Sequence, residues 1–395
     1  MMSTGRFLST TGGVWSRGVG YLGCLGHGDW AERELLEEVA VGARSVSAGW
    51  AHSASIIDDK VHIWGRPLDP PSSALQLARA HAVSPLVSGA VNAASFFFDV
   101  ARTLSLAPRL LDEVPAQSVV CGAGVTVVLG AAGDLLVAGS NDFGQCGVGK
   151  RSTVVESLSA VRVESPVKGV ALGFRHGLAV GIDGRVWAWG KNENGQLGLG
   201  SRDPALAPER VPELAGVVSV ACGLSHSAAL TEAGEVFVWG KLRGTQVTNR
   251  EPLLFGDALS PRGLPLQTSA SYRGRAPRAP ATAVACSAFH TVLVDADSTV
   301  WVLGLERRTR HMVSAPRPLA GLPSSTTLAL RSGIDSVALF DPQSPTTPVF
   351  GPSLEPEGCV ATELHPPIVG ARFLDVSVGW KHALALVTTT KEESP

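Results

Sequence analysis

Charge is scarce in this 395-residue chain: Asp, Glu, Lys and Arg make up 17% of it, against about 25% in an average globular protein. That argues against a coiled coil, a charged helical bundle and a disordered chain, all of which are charge-rich. With 33 basic and 35 acidic residues the formal net charge is −2, so no global field draws the molecule to nucleic acid or to an anionic membrane. Long apolar runs are missing too; none reaches the ~18 residues of a membrane-spanning helix. The six cysteines contain no C-x-x-C pair, which speaks against a disulfide framework and fits a reducing intracellular compartment. No P-loop, H-E-x-x-H helix or complete G-x-S-x-G elbow is present; Gly223-Leu224-Ser225-His226-Ser227 stops one residue short. No catalytic residues, no metal and no cofactor are expected, and the chain reads as a non-enzyme.

What is abundant is turn chemistry, with 44 glycines and 26 prolines alongside 45% apolar residues. Much of it is periodic. Val218 to Gly240 runs through Cys222-Gly223, His226, Ala233-Gly234 and Val236-Phe237-Val238-Trp239-Gly240. Val170 to Gly190 repeats the order, with Gly173, His176, Asp183-Gly184 and Trp187-Ala188-Trp189-Gly190. Weaker copies are anchored at Gly49, Gly122, Ser287 and Ser332, and a last one begins at Gly379. The spacing predicts seven repeats with a basic period of about 50 residues. Each reads as strand, G-x-x-H turn, strand, tight hairpin, strand, because Asp-Gly and Ala-Gly supply the positive φ a hairpin needs. A glycine cluster follows, as in Gly195-Gln196-Leu197-Gly198 and Gly144-Gln145-Cys146-Gly147.

A four-stranded unit of this size cannot bury both faces alone, whereas radial stacking of such units does. The expected fold is therefore an all-β, seven-bladed β-propeller. The last repeat ends after Leu384-Ala385-Leu386-Val387, and Val14-Trp15-Ser16 supplies the strand it lacks. An N-terminal strand closing the last blade would remove an exposed sheet edge. The expected layout is a short targeting segment over 1–12, the propeller over 13–387 and a tail over 388–395. Two long connections, 66–115 and 241–280, interrupt the propeller.

The pattern V-x-x-G-x-x-H-s-x-a-L, V-y-x-W-G, G-Q-L-G-x-G resembles the family of the regulator of chromosome condensation, a seven-bladed propeller. The resemblance runs from about Val14 to Val387, strong in the third and fourth repeats and degenerate in the second and sixth. It implies a partner-binding protein, since the founding member is a guanine-nucleotide exchange factor for a small GTPase. Relatives serve as assembly factors, chromatin-modifier partners, light-signalling proteins and ubiquitin-ligase modules. Fold follows from such membership far better than function does. In the exchange factor, acidic residues lie among those between the repeat Gly and His. Here the residue before the His is Ala51, Arg175, Ser225, Phe289 or Lys381; none is acidic, which counts against exchange.

The repeated histidines, His52, His176, His226, His290 and His382, invite a metal reading. Equivalent positions in neighbouring sheets lie about 10 Å apart, whereas zinc wants its ligands near ~2 Å from one centre. Structural turn histidines are expected. The literal G-x-G-x-x-G at Gly18 to Gly23 falls in the phase of the repeat clusters, so it reads as a repeat turn, not a dinucleotide site.

Partner-binding candidates come from the residue after each anchor glycine and its neighbours: Trp50, Phe174, Arg175, Trp380 and Lys381, with the turn acids Asp142 and Glu193. Aromatic and cationic groups are the composition of interface hot spots; the alternative is that these aromatics pack between blades. The connection 241–280 carries Lys241, Arg243, Arg250, Arg262, Arg273, Arg275 and Arg278, and Arg307, Arg308 and Arg310 follow in the next repeat. Such a basic zone fits RNA phosphates or an acidic partner, or is a solvated loop. The connection 66–115, with Leu104, Leu106, Leu110 and Leu111, either docks a partner or is a degenerate blade with extra loop. Met1 to Gly13, with Arg6 and five Ser/Thr and no acid before Asp29, resembles a mitochondrial presequence.

The expected function is thus a non-catalytic platform holding protein partners, within a ribonucleoprotein assembly and in mitochondria. Guanine-nucleotide exchange on a small GTPase in cytoplasm or nucleus is the alternative.

Overall fold

The computed structural model describes residues 12–20, 23–66, 105–112, 114–241, 258–263, 279–305, 312–319, 329–333, 337–341, 347–350, 361–365, 371–379 and 382–388. These form strands and turns with no α-helix among them. None of the described residues lies in a helix long and apolar enough to cross a membrane.

The strands fall into antiparallel sheets in sequence order, each four strands wide except one of seven. The exception opens with β1 (Gly12–Gly18), β2 (Arg33–Ala48), β3 (His52–Ile57), β4 (Lys60–Gly65) and β5 (Ser105–Asp112). The second sheet is β6 (Ala116–Cys121), β7 (Val125–Gly130), β8 (Leu135–Ser140) and β9 (Val154–Val161). The third is β10 (Val167–Leu172), β11 (His176–Gly181), β12 (Val186–Gly190) and β13 (Ala205–Arg210). The fourth is β14 (Val217–Cys222), β15 (His226–Thr231), β16 (Val236–Gly240) and β17 (Ala258–Gly263). The fifth is β18 (Ala281–Cys286), β19 (His290–Asp295), β20 (Val300–Leu305) and β21 (Met312–Pro318). The sixth is β22 (Ala329–Ser332), β23 (Val337–Phe340), β24 (Thr347–Phe350) and β25 (Ala361–Leu364). Then β26 (Phe373–Val378) and β27 (His382–Thr388) return to the seven-stranded sheet, in the order β26-β27-β1-β2-β3-β4-β5. This is a β-propeller.

The seven-stranded sheet is two four-stranded units that share β2. Its N-terminal half pairs with β1 and its C-terminal half with β3. β1 in turn pairs with β27 from Gly12↔Thr388 to Gly18↔His382, so chain-distant segments complete one sheet and leave no open inner edge there. The second strand of each unit is buried along its whole length in five cases: His52–Ile57, Val125–Gly130, His176–Gly181, His226–Thr231 and His290–Asp295. Burial on both faces explains why these strands lack polar–apolar alternation and use small residues such as Ser227-Ala228-Ala229.

Hairpin chemistry follows the residues. Gly184 and Gly234 take φ of 73° and 80°. In the first unit Ile57 pairs with Lys60 across Asp58-Asp59, whose φ values are 48° and 63°. That is the two-residue loop with both central residues left-handed, a conformation Asp tolerates. The sixth unit corrects one sequence assignment. Ser332 pairs with Val337 as Cys286 pairs with Thr291, so Ser332 corresponds to Cys286 and the anchor is Gly333. A Ser-Gly pair at that point reads equally well in either register until the ladder fixes it.

What holds neighbouring units together is a repeated lock. Gln196 O, in the glycine cluster between β12 and β13 of the third unit, accepts from Trp239 Nε1 at 2.9 Å and from Ser227 Oγ at 2.7 Å, both in the fourth. His176 of the third unit meets the same Ser227 hydroxyl at 3.0 Å. Since that hydroxyl proton is committed to Gln196 O, His176 Nε2–H is the donor, which assigns the tautomer. A second copy joins the closing unit to the first: Cys24 O accepts from Trp64 Nε1 at 2.9 Å and Ser53 Oγ at 2.8 Å, and His382 Nε2 lies 3.0 Å from Ser53 Oγ. His52 reaches Thr126 and His226 reaches Thr291, each at 3.1 Å. The glycine clusters exist for the tryptophans. A Cβ on Gly198 would stand 2.8 Å from Trp239 Nε1, and one on Gly147 would stand 2.9 Å from Trp189 Cδ1.

The junction of the second and third units departs from the pattern on both sides at once, whereas the sixth unit departs on one side, with Val337 in place of the hydroxyl residue. In the second unit Val125 stands in place of the histidine, and in the third Gly177 stands in place of the hydroxyl residue. The Trp189 ring covers that glycine so closely that a Cβ would lie 2.6 Å from it. Donor and acceptor are missing together, so neither is left buried and unmatched.

The lock makes a differential prediction for two tryptophans. Trp239→Phe removes a buried donor and ring volume, and should cost about 2–3 kcal/mol. Trp187 is equally buried, but its indole N–H has no partner among the described residues. Trp187→Phe should therefore cost less, by about 1 kcal/mol or more. Urea unfolding midpoints of the two variants check this; equal losses would contradict it.

Candidate functional site

Among the described residues, the up-and-down course of the strands puts the G-x-x-H turns and glycine clusters at one end of the ring and the hairpin tips at the other. At the turn end, the anchor residues converge. Their packing is tight: a Cβ on Gly49 would lie 2.6 Å from Gly122 O, one on Gly173 2.6 Å from Gly223 O, and one on Gly223 2.6 Å from Ser287 O. A small hollow of about 40 Å³, open to solvent, lies among Gly122, Gly173, Gly223, Phe174, Leu224 and Ala288.

Beside this mouth four of the expected binding residues come together. Trp50 of the first unit reaches Phe174 of the third, ring centroids 5.0 Å apart. It does so across the small turn Gly122-Ala123-Gly124, where Trp50 N donates to Gly122 O at 3.2 Å. The Arg175 guanidinium stacks 5.0 Å from the Phe174 centroid and 4.0 Å from that of Phe143. Lys191 Nζ lies 5.2 Å from Phe143, and 2.8 Å from a Glu193 carboxylate oxygen. Trp50, Phe143, Phe174, Arg175 and Lys191 are all half-buried, and Glu193 is exposed. Each cation–π contact is worth about 0.5–2 kcal/mol, so the guanidinium plane is held in place instead of waving in solvent.

Phe143 and Lys191 escaped the sequence reading. Phe143 precedes a cluster glycine, and Lys191 follows the Trp-Gly of the third strand. The signal was present in the repeat, because Arg66 and Lys241 occupy the place of Lys191 in the first and fourth units. Their backbones act alike: Arg66, Lys191 and Lys241 N donate to Ala51, Arg175 and Ser225 O at 2.7, 2.8 and 2.7 Å. Asp142 is exposed next to Phe143. The neighbouring Asn141 and Asn192 are buried and structural: their Oδ1 atoms accept from Cys146 N and Leu197 N, and their amides cap the carbonyls of Lys150, Ser201 and Asp203.

Arg262 lies on β17, opposite Val238. Trp380, Lys381, Arg243, Arg250, Arg273, Arg275, Arg278, Arg307, Arg308 and Arg310 are outside the described residues, as is 1–11. Within the connection 66–115, Ser105–Asp112 is the outer strand of the first unit, with Leu110 exposed and Leu111 packed on the core.

His52, His176, His226 and His382 are taken up by the junctions, while His290 Nδ1 meets Ser287 Oγ within its own unit. Burial lowers His52 and His226 to about 3 and His176 and His382 to about 4, from 6.5, so they are neutral at pH 7. Cys121, Cys222 and Cys286, each the last residue of its unit's first strand, are free and buried. Burial pushes the Cys121 and Cys286 thiols up to about 12 and raises Cys222 well above its ordinary value. Thiols so raised are inert as nucleophiles. Among the described residues no three His, Cys, Asp or Glu side chains are grouped to hold a metal.

The model for the regulator of chromosome condensation (RCC1) repeat matches residues 183–230, and a second model of the same description matches 167–196. Residues 167–230 thus match the RCC1 repeat. The RCC1-like fold is shared with human WBSCR16 at a TM-score of 0.70 and 19% identity, over 95% of this chain and 100% of that one. It is shared also with Prp20p of Saccharomyces cerevisiae at a TM-score of 0.70 and 15% identity, over 98% and 93%. At such identities the likeness concerns the fold. Among curated relatives, the ultraviolet-B receptor UVR8 of Arabidopsis thaliana is 33% identical over 197 residues, 47% of this chain and 39% of that protein. The X-linked retinitis pigmentosa GTPase regulator homolog of Caenorhabditis elegans is 34% identical over 161 residues, 39% of this chain and 11% of that one. The chain therefore matches well under half the length of these RCC1-repeat relatives.

Proposed function

We propose that this RCC1-like chain is a non-catalytic, seven-bladed interaction platform that holds a protein partner on its turn end, around Trp50, Phe174 and Arg175. The observation that carries the reading is the cluster itself. Two units bring an aromatic pair together across a third, a guanidinium is clamped between two rings, and an apolar-walled mouth lies beside them. Aromatic and arginine anchors in a partly desolvated setting are the groups that dominate binding energy, at about 2 kcal/mol or more each. No comparable cluster is needed for the junctions, which are held by the His, Ser/Thr and Trp locks.

Nucleotide exchange is the second reading, supported by Prp20p, whose structure was determined with its binding to Gsp1p and histones in view. Against it, the residue before each described repeat histidine is Ala51, Arg175, Ser225 or Phe289, without an acid. A mitochondrial or ribonucleoprotein setting rests on the N-terminal segment and the basic connection alone.

Affinity purification of the Trp50→Ala/Phe174→Ala chain against the unsubstituted chain tests the platform. Specific partners should fall at least tenfold in yield with the unfolding midpoint little changed. Undiminished recovery would move the binding site elsewhere. A nucleotide-release assay on a panel of small GTPases separates the second reading, for which acceleration by the purified chain is required.

A further inference from the structure

We propose that the outer edge of the closing unit, around Trp30, Leu35 and Val41, is a second docking surface. Its occupant is an extended segment of another protein in which lysines or arginines flank apolar side chains. The surface shares no residue with the turn-end cluster and stands or falls independently of the platform.

Residues 33–41 are the outer strand of the closing unit. β2 pairs there with β1, and among the described residues no strand pairs with its other edge. Two steps along β1, from Ser16 to Gly18, are matched by four along β2, from Glu37 to Arg33, so β2 bulges. Leu35 sits in the middle of that bulge and is 76% exposed; Trp30 before it and Val41 after it are 53% and 58% exposed. The outer strands β9 and β13 carry no exposed large apolar side chain. A single apolar group on a surface is ordinary, but three within twelve residues along an open edge mark an interaction site.

Charge selects the occupant. From Asp29 to Val41 the chain has Asp29, Glu32, Glu34, Glu37 and Glu38 against Arg33, and β1 adds Arg17. All five acids are exposed. Arg33 is taken up by Asp29 and Glu37, at 2.8 and 2.7 Å, which leaves Glu32, Glu34 and Glu38 outside its pairs. The edge is therefore negative around its apolar groups. A second copy is disfavoured by the same residues, since pairing β2 with itself sets glutamates against glutamates across a bulged ladder. Nucleic acid is repelled outright. Protection of an open edge would account for the acids and the bulge, but not for a leucine that the bulge turns out into water. Apolar side chains covering Leu35 and Trp30, with cations between them for Glu34 and Glu38, meet both features at once.

The test uses the full chain and a fluorescein-labelled peptide of four Lys-Leu-Lys triplets, followed by anisotropy at two salt concentrations. Lys-Ser-Lys and Glu-Leu-Glu counterparts are the controls. The Lys-Leu-Lys peptide should bind at least about tenfold more tightly than either and should weaken as salt rises. Leu35→Ser and Trp30→Ser should each cost about fivefold or more. Glu34→Gln/Glu38→Gln should cost as much and flatten the salt dependence. These side chains are exposed, so the urea midpoints should stay in place, and Trp50→Ala/Phe174→Ala should leave the affinity unchanged. Equal binding of the Lys-Leu-Lys and Lys-Ser-Lys peptides, or an affinity untouched by the edge substitutions, would overturn the proposal. So would loss of binding in the Trp50→Ala/Phe174→Ala chain, which would put the peptide at the turn end. A dimer in sedimentation that Leu35→Ser dissolves would assign the edge to a second copy instead.

Discussion

Replacing Gly223 by alanine is expected to cost about 3–5 kcal/mol, a large part of the ~5–15 kcal/mol that holds a domain together. The glycine is required by space. Its φ is not left-handed, but an added Cβ would overlap the His226 imidazole and lie 2.6 Å from Ser287 O. The ring cannot step aside, since Nε2 bonds Thr291 across the junction and the turn is closed by Gly223 N donating to His226 O at 2.9 Å. Overpacking costs about 1–3 kcal/mol, and breaking the buried His–Thr bond adds about 1–3. The chain contains its own control. The fifth unit has Ser287 at the anchor, and there the histidine accommodates it: His290 Nδ1 meets Ser287 Oγ at 3.2 Å. Ser287→Gly should therefore cost no more than about 1–2 kcal/mol. Urea titration of both variants reads the contrast, and a Gly223→Ala chain as stable as Ser287→Gly would refute the steric account.

Acid should unfold the protein while most carboxylates remain charged. His52, His176, His226 and His382 are held well below 6.5 in the fold by burial. On unfolding each regains its ordinary value. A histidine with a depressed folded value binds its proton in the unfolded chain only, so the stabilisation is full above pH 6.5 and declines as pH falls toward the folded values of about 3 to 4. By pH 5 the loss is about 2 kcal/mol per histidine and about 8 for the four. Against a typical ~5–15 kcal/mol, an acid midpoint near pH 5 is expected. Measuring urea midpoints from pH 8 to pH 5 gives the proton uptake directly. In a His52→Gln/His226→Gln chain the slope should fall by about half, whereas a flat profile in the unsubstituted chain would mean these rings are not the buried neutral groups described.

Much of the fold was legible from repetition. The anchors at Gly49, Gly122, Gly173, Gly223 and Gly379, the hairpin glycines and the pairing of Val14-Trp15-Ser16 with Leu384-Ala385-Leu386 all follow from local chemistry recurring in phase. The locks were not legible, because His176 and Ser227 are separated by 51 positions and a strand serine is unremarkable beside any histidine. The sixth anchor shifted to Gly333 because a single pair of small residues leaves the register open. At the candidate site, Trp50, Phe174 and Arg175 stand out as aromatic and cationic groups in the two positions after an anchor glycine. Phe143 and Lys191 do not, since each belongs to a loop judged one repeat at a time. Their meaning appears only when three units are placed side by side.

The paired loss at the junction of the second and third units has a consequence for how such a ring can change over generations. What is inherited together is a junction, not a repeat. Transplanting the third unit into the place of the fourth would set Gly177 where Ser227 stands, leaving His176 facing a glycine with its N–H buried and unanswered. A tandem copy therefore keeps the lock with its neighbours only if it brings the acceptor they need and meets the one it needs. Drift within this chain is expected to proceed by matched exchanges across a boundary, with Val125 and Gly177 the exchange already made.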